Sequence, residues 1–286
     1  METQPKFVLI TGASTGIGAA CAWHLDRLGF VVFAGVRRTE DGVRLRAQAS
    51  PRLQPIVLDV TDAGMIEQAR RLVAERVGEA GLAGLVNNAG IAVAGPLEAV
   101  PIPDLRRQFE VNVIGQVAVT QAFLPSLRKG RGRIVNMGSI AGRAAMPLMG
   151  PYSASKFALE ALTDALRLEV QQWGIQVSIV EPGAIATPIW EKSGAKADEL
   201  EATVSGELKQ LYAAAAAGVK ACVAEAAARA IPAEAVARVV EHALTAAHPK
   251  TRYLVGRDAK LRALMVKLLP DRLSDRLMTK ILHLPQ

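Results

Sequence analysis

The sequence has few of the residues that form disulfides, bind metals or stack on nucleic-acid bases. It contains two cysteines, Cys21 and Cys222, four histidines and 4% aromatic residues in 286 positions. Two cysteines in so long a chain predict free thiols in a reducing compartment, not a disulfide framework. The histidines show no metal-ligand spacing, so we expect no metal site. The scarcity of aromatics and of dense Lys/Arg runs argues against a nucleic-acid partner.

Long uncharged apolar runs are also missing. None approaches the roughly 20 residues that cross a bilayer. The first apolar strand begins near Phe7, which predicts no signal peptide and a cytoplasmic protein. Apolar residues are nevertheless plentiful, at 50% of the chain, and the net charge is +7. This composition predicts a substantial core and favours anionic ligands.

Strand-like and helix-like patterns alternate through most of the chain. We expect helices between apolar strands, at 16–28, 62–77, 104–127, 151–173 and 233–246. The strands are expected at 6–10, 31–36, 55–60, 82–87, 133–137, 175–180 and 252–255. This order predicts a Rossmann-like, doubly wound parallel sheet in one α/β domain covering 1–286. Ligands of such sheets bind beyond the carboxyl ends of the strands.

Two segments depart from the alternation. Residues 188–230 are Ala-rich without a strand pattern, and we expect either a helical lid over the substrate or helices that only pack on the body. The tail, 257–286, has leucines at helical spacing and seven basic against three acidic residues. Such a basic amphipathic extension either lies peripherally on a membrane or packs on the protein itself or a partner subunit, and packing is favoured.

The segment TGASTGIG, residues 11–18, follows the first strand and opens the first helix. Gly12, Gly16 and Gly18 allow a tight turn and a close approach to a pyrophosphate, which the amides of the helix N-terminus would bind. An ordinary glycine-rich turn is the alternative, but the strand–turn–helix context favours a dinucleotide site. The remaining candidate residues of this loop are Ser14, Thr15 and Ile17.

The end of the second strand bears on cofactor choice. An acidic residue there would bind the ribose of NAD, but the position holds Val36, followed by Arg37 and Arg38. A guanidinium binds the 2′-phosphate of NADP, so NADP(H) is predicted, with NAD as the weaker alternative. Asp59 and Val60, expected at the end of the third strand, are candidate adenine contacts, although a turn-capping aspartate fits Asp59 nearly as well.

Tyr152 and Lys156 stand four residues apart in GPYSASKFALEAL, residues 150–162. Residues at this spacing share one face of a helix, so the phenol and the ammonium lie near each other. The spacing alone allows either a packed tyrosine with a solvated lysine or an acid–base pair.

In its order of motifs, the chain resembles the short-chain dehydrogenase/reductase family over about residues 6–190. The matching features are the glycine loop, NNAG at 87–90, Asn112, Ser139, Tyr152, Lys156 and PGAIATP at 182–188. The resemblance implies that Tyr152 is the general acid or base, with its pKa lowered by Lys156. It also implies that Ser139 holds the substrate oxygen and that the Asn112 backbone anchors a proton relay.

The same resemblance assigns cofactor contacts. Tyr152 and Lys156 would lie near the nicotinamide ribose. Asn88 and Gly90 would line the adenosine side, and the nicotinamide would be held by Pro182, Gly183, Ile185 and Thr187. The chain departs from the NADP-preferring pattern at Thr15, where some members have a basic residue, so phosphate recognition would depend on Arg37.

The predicted function is therefore an NADP(H)-dependent oxidoreductase acting on a lipophilic alcohol or carbonyl compound, in a branch similar to steroid and retinol dehydrogenases. A ketoacyl-thioester reductase is one alternative, and a non-catalytic NADP-sensing protein is another. The family also implies a homo-oligomer, a dimer or tetramer, formed through the two long helices that contain Asn112 and Tyr152.

Overall fold

The computed structural model describes residues 5–282 and centres on a seven-stranded parallel sheet. The strand order is β3-β2-β1-β4-β5-β6-β9, so the order reverses between β1 and β4. In chain order the strands are β1 (Phe7–Ile10), β2 (Val31–Val36), β3 (Leu53–Val57), β4 (Gly84–Asn87), β5 (Arg133–Met137), β6 (Gln176–Pro182), β7 (Ile185–Ala186), β8 (Ile231–Pro232) and β9 (Arg252–Val255). The reversal between β1 and β4 opens a crevice at the carboxyl edge of the sheet.

Helices cover both faces of this sheet, which confirms the predicted doubly wound architecture. They are α1 (Gly16–Arg27), α2 (Thr39–Arg46), α3 (Ala63–Val77), α4 (Ile102–Phe109), α5 (Gly115–Gly130), α6 (Gly150–Glu169), α7 (Ile189–Thr203), α8 (Gly206–Ala228), α9 (Ala233–Thr245), α10 (Arg257–Leu268) and α11 (Asp271–Ile281).

The residues of strand β1 contribute to the hydrophobic cores on both faces of the sheet. All four of its residues are buried. Val8 and Ile10 join the layer formed with α1 and α9, whereas Phe7 and Leu9 join the layer formed with α3 and α5. Successive side chains of a strand point to opposite faces, so a strand buried on both faces must be apolar throughout.

The third strand differs from its predicted position, 55–60. It runs from Leu53 to Val57 because it pairs with β2, in which Val36 is the last partner, opposite Val57. Helix α2 was not predicted. Only Gly42 and Leu45 of its eight residues are buried, so the apolar periodicity that signals a helix is nearly absent.

The long helix predicted at 104–127 is wrong in its continuity. A π-helical turn, Glu110–Ile114, separates α4 from α5. Asn112 lies in this turn and is fully buried. Such π-turns inside α-helices occur frequently at functional sites.

The 188–230 insertion contains α7 and α8, as its composition predicted. The two ends of the insertion are joined by the parallel pairing of β7 with β8, in which Ile185 lies opposite Ile231. This pairing was not predicted. By length and composition alone, α8 is the one helix within residues 5–282 that is long and apolar enough to cross a bilayer, and it is mostly exposed. It is not uncharged, since it includes Glu207 and Lys220.

The tail forms α10 and α11, and residues 283–286 lie outside the described part. Its leucine face was expected to pack on the protein itself or on a partner subunit. In α10, Ala259 and Ala263 are buried against Ile140, whereas Leu261 and Leu264 are 60% and 52% exposed. The small alanine side chains allow one side of α10 to pack closely on the body. The leucines lie on the other side and face away from the body. These leucines therefore do not pack on this chain, and packing on a partner subunit stays a prediction.

Candidate active site

The glycine loop forms a narrow cradle at the start of α1. Gly12 and Gly16 have φ values of +65° and +60°, in the region that favours glycine. A Cβ at Gly18 would lie 2.3 Å from the Gly12 carbonyl oxygen. Thr15 precedes α1 without a side-chain cap, so its side chain satisfies none of the amides of the first turn. Close backbone approach and unsatisfied amides at a helix N-terminus fit a pyrophosphate.

Two side chains brace this loop against the end of β4. The Thr11 hydroxyl accepts hydrogen bonds from the Asn88 and Ala89 amides, each at 3.0 Å. Asn88 Nδ2 donates to the carbonyl oxygens of Thr11 and Gly12, both at 3.0 Å. Asn88 was predicted as a cofactor contact, and the structure shows that it also shapes the loop. Thr11 was missed, although a hydroxyl at the end of a buried strand is a signal for such a brace.

The residues predicted to select the cofactor lie at the neighbouring strand ends. Val36 is buried at the end of β2, and Arg37 and Arg38 follow it as exposed side chains. Asp59 Oδ1 accepts hydrogen bonds from the Thr61 amide at 2.9 Å and the Thr61 hydroxyl at 2.8 Å. The structure therefore contains the turn-capping interaction that was the alternative for Asp59. Val60 is buried beside Gly115.

Asn112 links the π-turn to the segment that follows NNAG. Its Oδ1 accepts from the Ile91 amide at 2.8 Å, and its Nδ2 donates to the Ile91 carbonyl and to Ser155 Oγ. Gly90 lies alongside, where a Cβ would be 3.4 Å from Asn112 Oδ1. The side chain of Asn112 is thus committed to Ile91 and Ser155.

Gln108 reinforces the same connection and was missed by the sequence analysis. It is fully buried, accepts from the Val93 amide at 2.7 Å and donates to the Ile91 carbonyl at 3.0 Å. Its position four residues before Asn112, on the same side of the helix, is the signal that points to it.

Ser139, Tyr152 and Lys156 converge at the end of β5. The Ser139 side chain lies close enough to the Tyr152 phenol to lower the pKa of that phenol. Lys156 is buried, its Nζ lies 5.7 Å from the centroid of the Tyr152 ring, and it donates to the Met137 carbonyl at 2.7 Å. The structure therefore brings the predicted serine, tyrosine and lysine together.

Burial is the largest influence on the pKa values of Tyr152 and Lys156. It raises the pKa of Tyr152, and the neighbouring Ser139 side chain lowers that pKa by a smaller amount. This direction is opposite to the lowering that the family resemblance implied. Burial also lowers the pKa of Lys156 to about 8, against an opposing contribution from Glu160. Burial thus disfavours charge on both side chains.

A carboxylate cluster that was not predicted lies behind Lys156. Glu160 Oε2 accepts from Arg252 Nε at 3.2 Å, and fully buried Glu181 pairs with Arg143 at 3.4 Å and with Arg252 at 3.5 Å. Burial, and then the charge of Glu181, raise the pKa of Glu160 to about 7. Glu160 lies four residues after Lys156, so one face of α6 presents a phenol, an ammonium and a carboxyl group.

The segment 182–188 closes the site next to the glycine loop. Pro182 is buried at the end of β6, and a Cβ at Gly16 would lie 3.1 Å from the Thr187 methyl group. Ile185 is buried, and its carbonyl accepts from Trp190 Nε1 at 2.7 Å. The predicted segment is therefore adjacent to the predicted pyrophosphate cradle.

A parallel α/β sheet with this crevice and this tyrosine–lysine pair defines a class of nucleotide-dependent oxidoreductases. The chain matches the short chain dehydrogenase family over residues 6–198 and belongs to it. It acts as an oxidoreductase on CH–OH groups.

Curated relatives narrow the branch. The chain is 41% identical to retinol dehydrogenase 5 of Mus musculus over 300 residues, covering 100% of the chain and 91% of that protein. It is 38% identical to 17-beta-hydroxysteroid dehydrogenase type 6 of Bos taurus over 289 residues, covering 97% and 89%. These likenesses confirm the predicted steroid- and retinol-dehydrogenase-like branch.

A solved structure agrees with the fold. The crystal structure of a short chain dehydrogenase from Burkholderia cenocepacia J2315 in complex with NADP has a TM-score of 0.73. The two chains are 25% identical, and each is covered over 100% of its length. The fold of this protein is therefore one that binds a nicotinamide cofactor.

Proposed function

We propose that this protein is an NADP(H)-dependent oxidoreductase that interconverts a lipophilic secondary alcohol and its carbonyl compound, with Tyr152 as the acid and base. The observation that carries the proposal is the Ser139–Tyr152–Lys156 group at the carboxyl edge of the sheet, beside the glycine loop. The names of the retinol and hydroxysteroid dehydrogenase relatives support the lipophilic substrate class.

In the proposed reduction, Ser139 and Tyr152 bind the carbonyl oxygen of the substrate. The raised pKa of Tyr152 keeps its phenol protonated at neutral pH, which suits a proton donor. Tyr152 gives that proton to the substrate oxygen and receives it back in the oxidation. The bound nicotinamide would supply or accept the hydride.

Lys156 and Asn112 support this transfer. The ammonium of Lys156 stabilises the Tyr152 phenolate once the proton has left. Because the side chain of Asn112 is committed to Ile91 and Ser155, we assign its backbone to a proton relay that reaches Lys156.

The residues that would hold the cofactor follow the carboxyl edge from the glycine loop to segment 182–187. The proposed pyrophosphate contacts are Gly12, Ser14, Thr15, Gly16, Ile17 and Gly18. Arg37 would bind the 2′-phosphate with Arg38 beside it, while Asp59, Val60, Asn88 and Gly90 would line the adenosine. The nicotinamide half would lie near Tyr152, Lys156, Pro182, Gly183, Ile185 and Thr187.

The insertion 188–230 is proposed as the substrate lid. Helix α7 packs onto the loop after β4, where a Cβ at Gly95 would lie 2.5 Å from Leu200 Cδ2. The Tyr212 hydroxyl of α8 donates to Glu98 in the same loop at 2.9 Å. Both contacts support the proposed lid, because they join the insertion to the loop that follows β4.

The substrate class is tested by assaying NADPH oxidation with retinal, a ketosteroid and an acetoacetyl thioester. We expect reduction of at least one of the first two, with a higher kcat/KM than for the thioester. A preference for the thioester would favour the ketoacyl-thioester reductase instead. NADPH binding without reduction of any carbonyl would contradict the proposal.

We also propose a homo-oligomer, a dimer or tetramer, and a cytoplasmic protein with peripheral membrane contact. Phe157 and Leu168 on α6 are 46% and 66% exposed, as a subunit interface requires. The exposed leucines of α10 lie in a basic extension suited to an anionic surface. Light scattering should report more than one subunit, and the protein should float with anionic but not neutral vesicles. A monomer in solution would refute the homo-oligomer, and a protein that does not float with anionic vesicles would refute the membrane contact.

Replacing Tyr152 by Phe removes the proposed proton donor while keeping the ring. We expect kcat for carbonyl reduction to fall by about 10²–10⁴-fold, because positioned acid–base groups contribute that much. NADPH binding and the thermal unfolding midpoint should change little. Retained turnover in Tyr152→Phe would show that the pair only packs.

Glu160→Gln removes the carboxylate that favours the Lys156 ammonium. The pKa of Lys156, about 8 in the intact protein, should then fall further. We therefore expect kcat/KM to begin its decline with rising pH at a lower pH than in the unmutated enzyme. Because the pKa of Glu160 is about 7, the two enzymes should differ most above pH 7 and little below it.

The matched control is Glu169→Gln, an exposed carboxylate near the end of the same helix. Its pH profile should coincide with that of the unmutated enzyme. If Glu160→Gln and Glu169→Gln had the same pH profile, the pKa of Lys156 would not depend on Glu160, and the prediction would be wrong. A uniform loss of rate at every pH in Glu160→Gln would indicate a structural role only.

Arg37→Ala tests cofactor preference. Loss of a charge-assisted contact with the 2′-phosphate should raise KM for NADPH about tenfold or more and leave KM for NADH nearly unchanged. Arg76→Ala, an exposed arginine on α3, changes the net charge equally and should alter neither value. Equal kcat/KM with NADPH and NADH in the unmutated enzyme would contradict the NADP preference.

A further inference from the structure

An aspartate of the C-terminal extension contacts the segment proposed to hold the nicotinamide. Asp258 lies in the first turn of α10, and its Oδ2 accepts a hydrogen bond from the Ala184 amide at 2.7 Å. The preceding amide, of Gly183, donates to the Val255 carbonyl at 2.9 Å. Two successive amides of segment 182–187 are thus held by the region around residues 255–258.

Two glycines leave space for this carboxylate. A Cβ at Gly183 would lie 2.1 Å from Asp258 Oδ2, and a Cβ at Gly256 would lie 2.4 Å from Oδ1. Side chains essentially never approach so closely, so any larger residue at either position would displace Asp258. Gly256 also has a φ of +106°, which disfavours other residues. The local backbone is therefore built around the aspartate.

Helix α10 is itself anchored to the opposite side of the site. Ala259 and Ala263 pack against Ile140, the residue after Ser139. Arg262 donates to the Ala144 carbonyl at 3.1 Å. One short helix therefore touches both the segment that follows Ser139 and the segment that follows β6.

We propose that Asp258 is a positioning residue that orients the amides of segment 182–187 toward the nicotinamide half of the cofactor. The inference rests on the proposed function, since it needs a nicotinamide cofactor in that place. Ala184 lies between Gly183 and Ile185, so a fixed Ala184 amide restricts the backbone orientation of both neighbours. A carboxylate acceptor makes this restraint stronger than a neutral acceptor would. Asp258 acts through the backbone and is not placed in contact with substrate.

The test compares two ligands that differ only in the nicotinamide half. Dissociation constants for NADPH and for 2′-phospho-ADP-ribose, which lacks the nicotinamide riboside, are measured by fluorescence and calorimetric titration. Asp258→Ala should weaken NADPH binding about fivefold, the effect expected from one lost hydrogen bond. It should leave 2′-phospho-ADP-ribose binding unchanged.

Three variants make the result specific. Asp258→Asn keeps an oxygen that accepts from the Ala184 amide, so its NADPH affinity should lie within about twofold of the unmutated value. Lys260→Ala, an exposed neighbour on α10, should match the unmutated protein for both ligands. If Asp258→Ala does not fold, Asp258→Ser replaces it, since a serine hydroxyl is too short to reach the Ala184 amide.

The outcomes separate this inference from the proposed function. Equal weakening of both ligands, or unchanged NADPH affinity in the alanine and serine variants, would overturn the role of Asp258 while leaving NADPH binding intact. An unmutated protein that binds neither ligand would overturn the proposed function, and the inference with it. Selective loss of NADPH affinity with recovery in Asp258→Asn is the result that supports it.

Discussion

The close approach of the glycine loop to the end of β4 is the constraint on which the rest of the site depends. Gly18 lies so near the Gly12 carbonyl and Asn88 Nδ2 that no side chain fits between them. The Thr11 and Asn88 hydrogen bonds hold this contact in place. Because β1 and β4 flank the point where the strand order reverses, the same contact determines where a pyrophosphate can lie. The proposed catalytic group at the end of β5 is one strand further along the same edge.

A second constraint is the burial of ionisable groups on one face of α6. Burial disfavours charge, raising the pKa of Tyr152 and of Glu160 and lowering that of Lys156. A lone buried ammonium would be costly, but the Met137 carbonyl and the nearby Glu160 stabilise it. Arg252 in turn binds Glu160. The proposed proton-transfer pair, Tyr152 and Lys156, thus lies beside charged groups contributed from α6, β6 and β9.

The sequence predicted the sheet well, for physical reasons, and the structure brings Ser139, Tyr152 and Lys156 together as the motifs implied. Buried parallel strands must be apolar on both faces, as in β1, and a glycine loop after the first strand has few other uses. The interruption at Glu110–Ile114 was unpredictable from periodicity, because it follows from contacts between Asn112 and a distant backbone segment. Helix α2 was missed for a different reason. It buries only two residues, so its sequence shows almost no apolar periodicity.

Three of the residues that sequence analysis missed share one property. Thr11, Gln108 and Asp258 bond to backbone groups of segments far away along the chain, and backbone partners leave no trace in residue identity. Spacing offered a partial signal, because Gln108 and Glu160 each lie four residues from a predicted site residue on the same helix. No comparable signal pointed to Asp258, whose partner lies 74 residues earlier.

Helix α10 of the C-terminal extension therefore presents different residues on its two faces. Its alanines and Asp258 face the body and restrain segments on both sides of the catalytic group, whereas its leucines face outward. A helix that is fixed by small residues on one side can present large apolar residues on the other without disturbing the fold. The helix that holds the Ala184 amide through Asp258 is therefore the same helix that presents the exposed leucines.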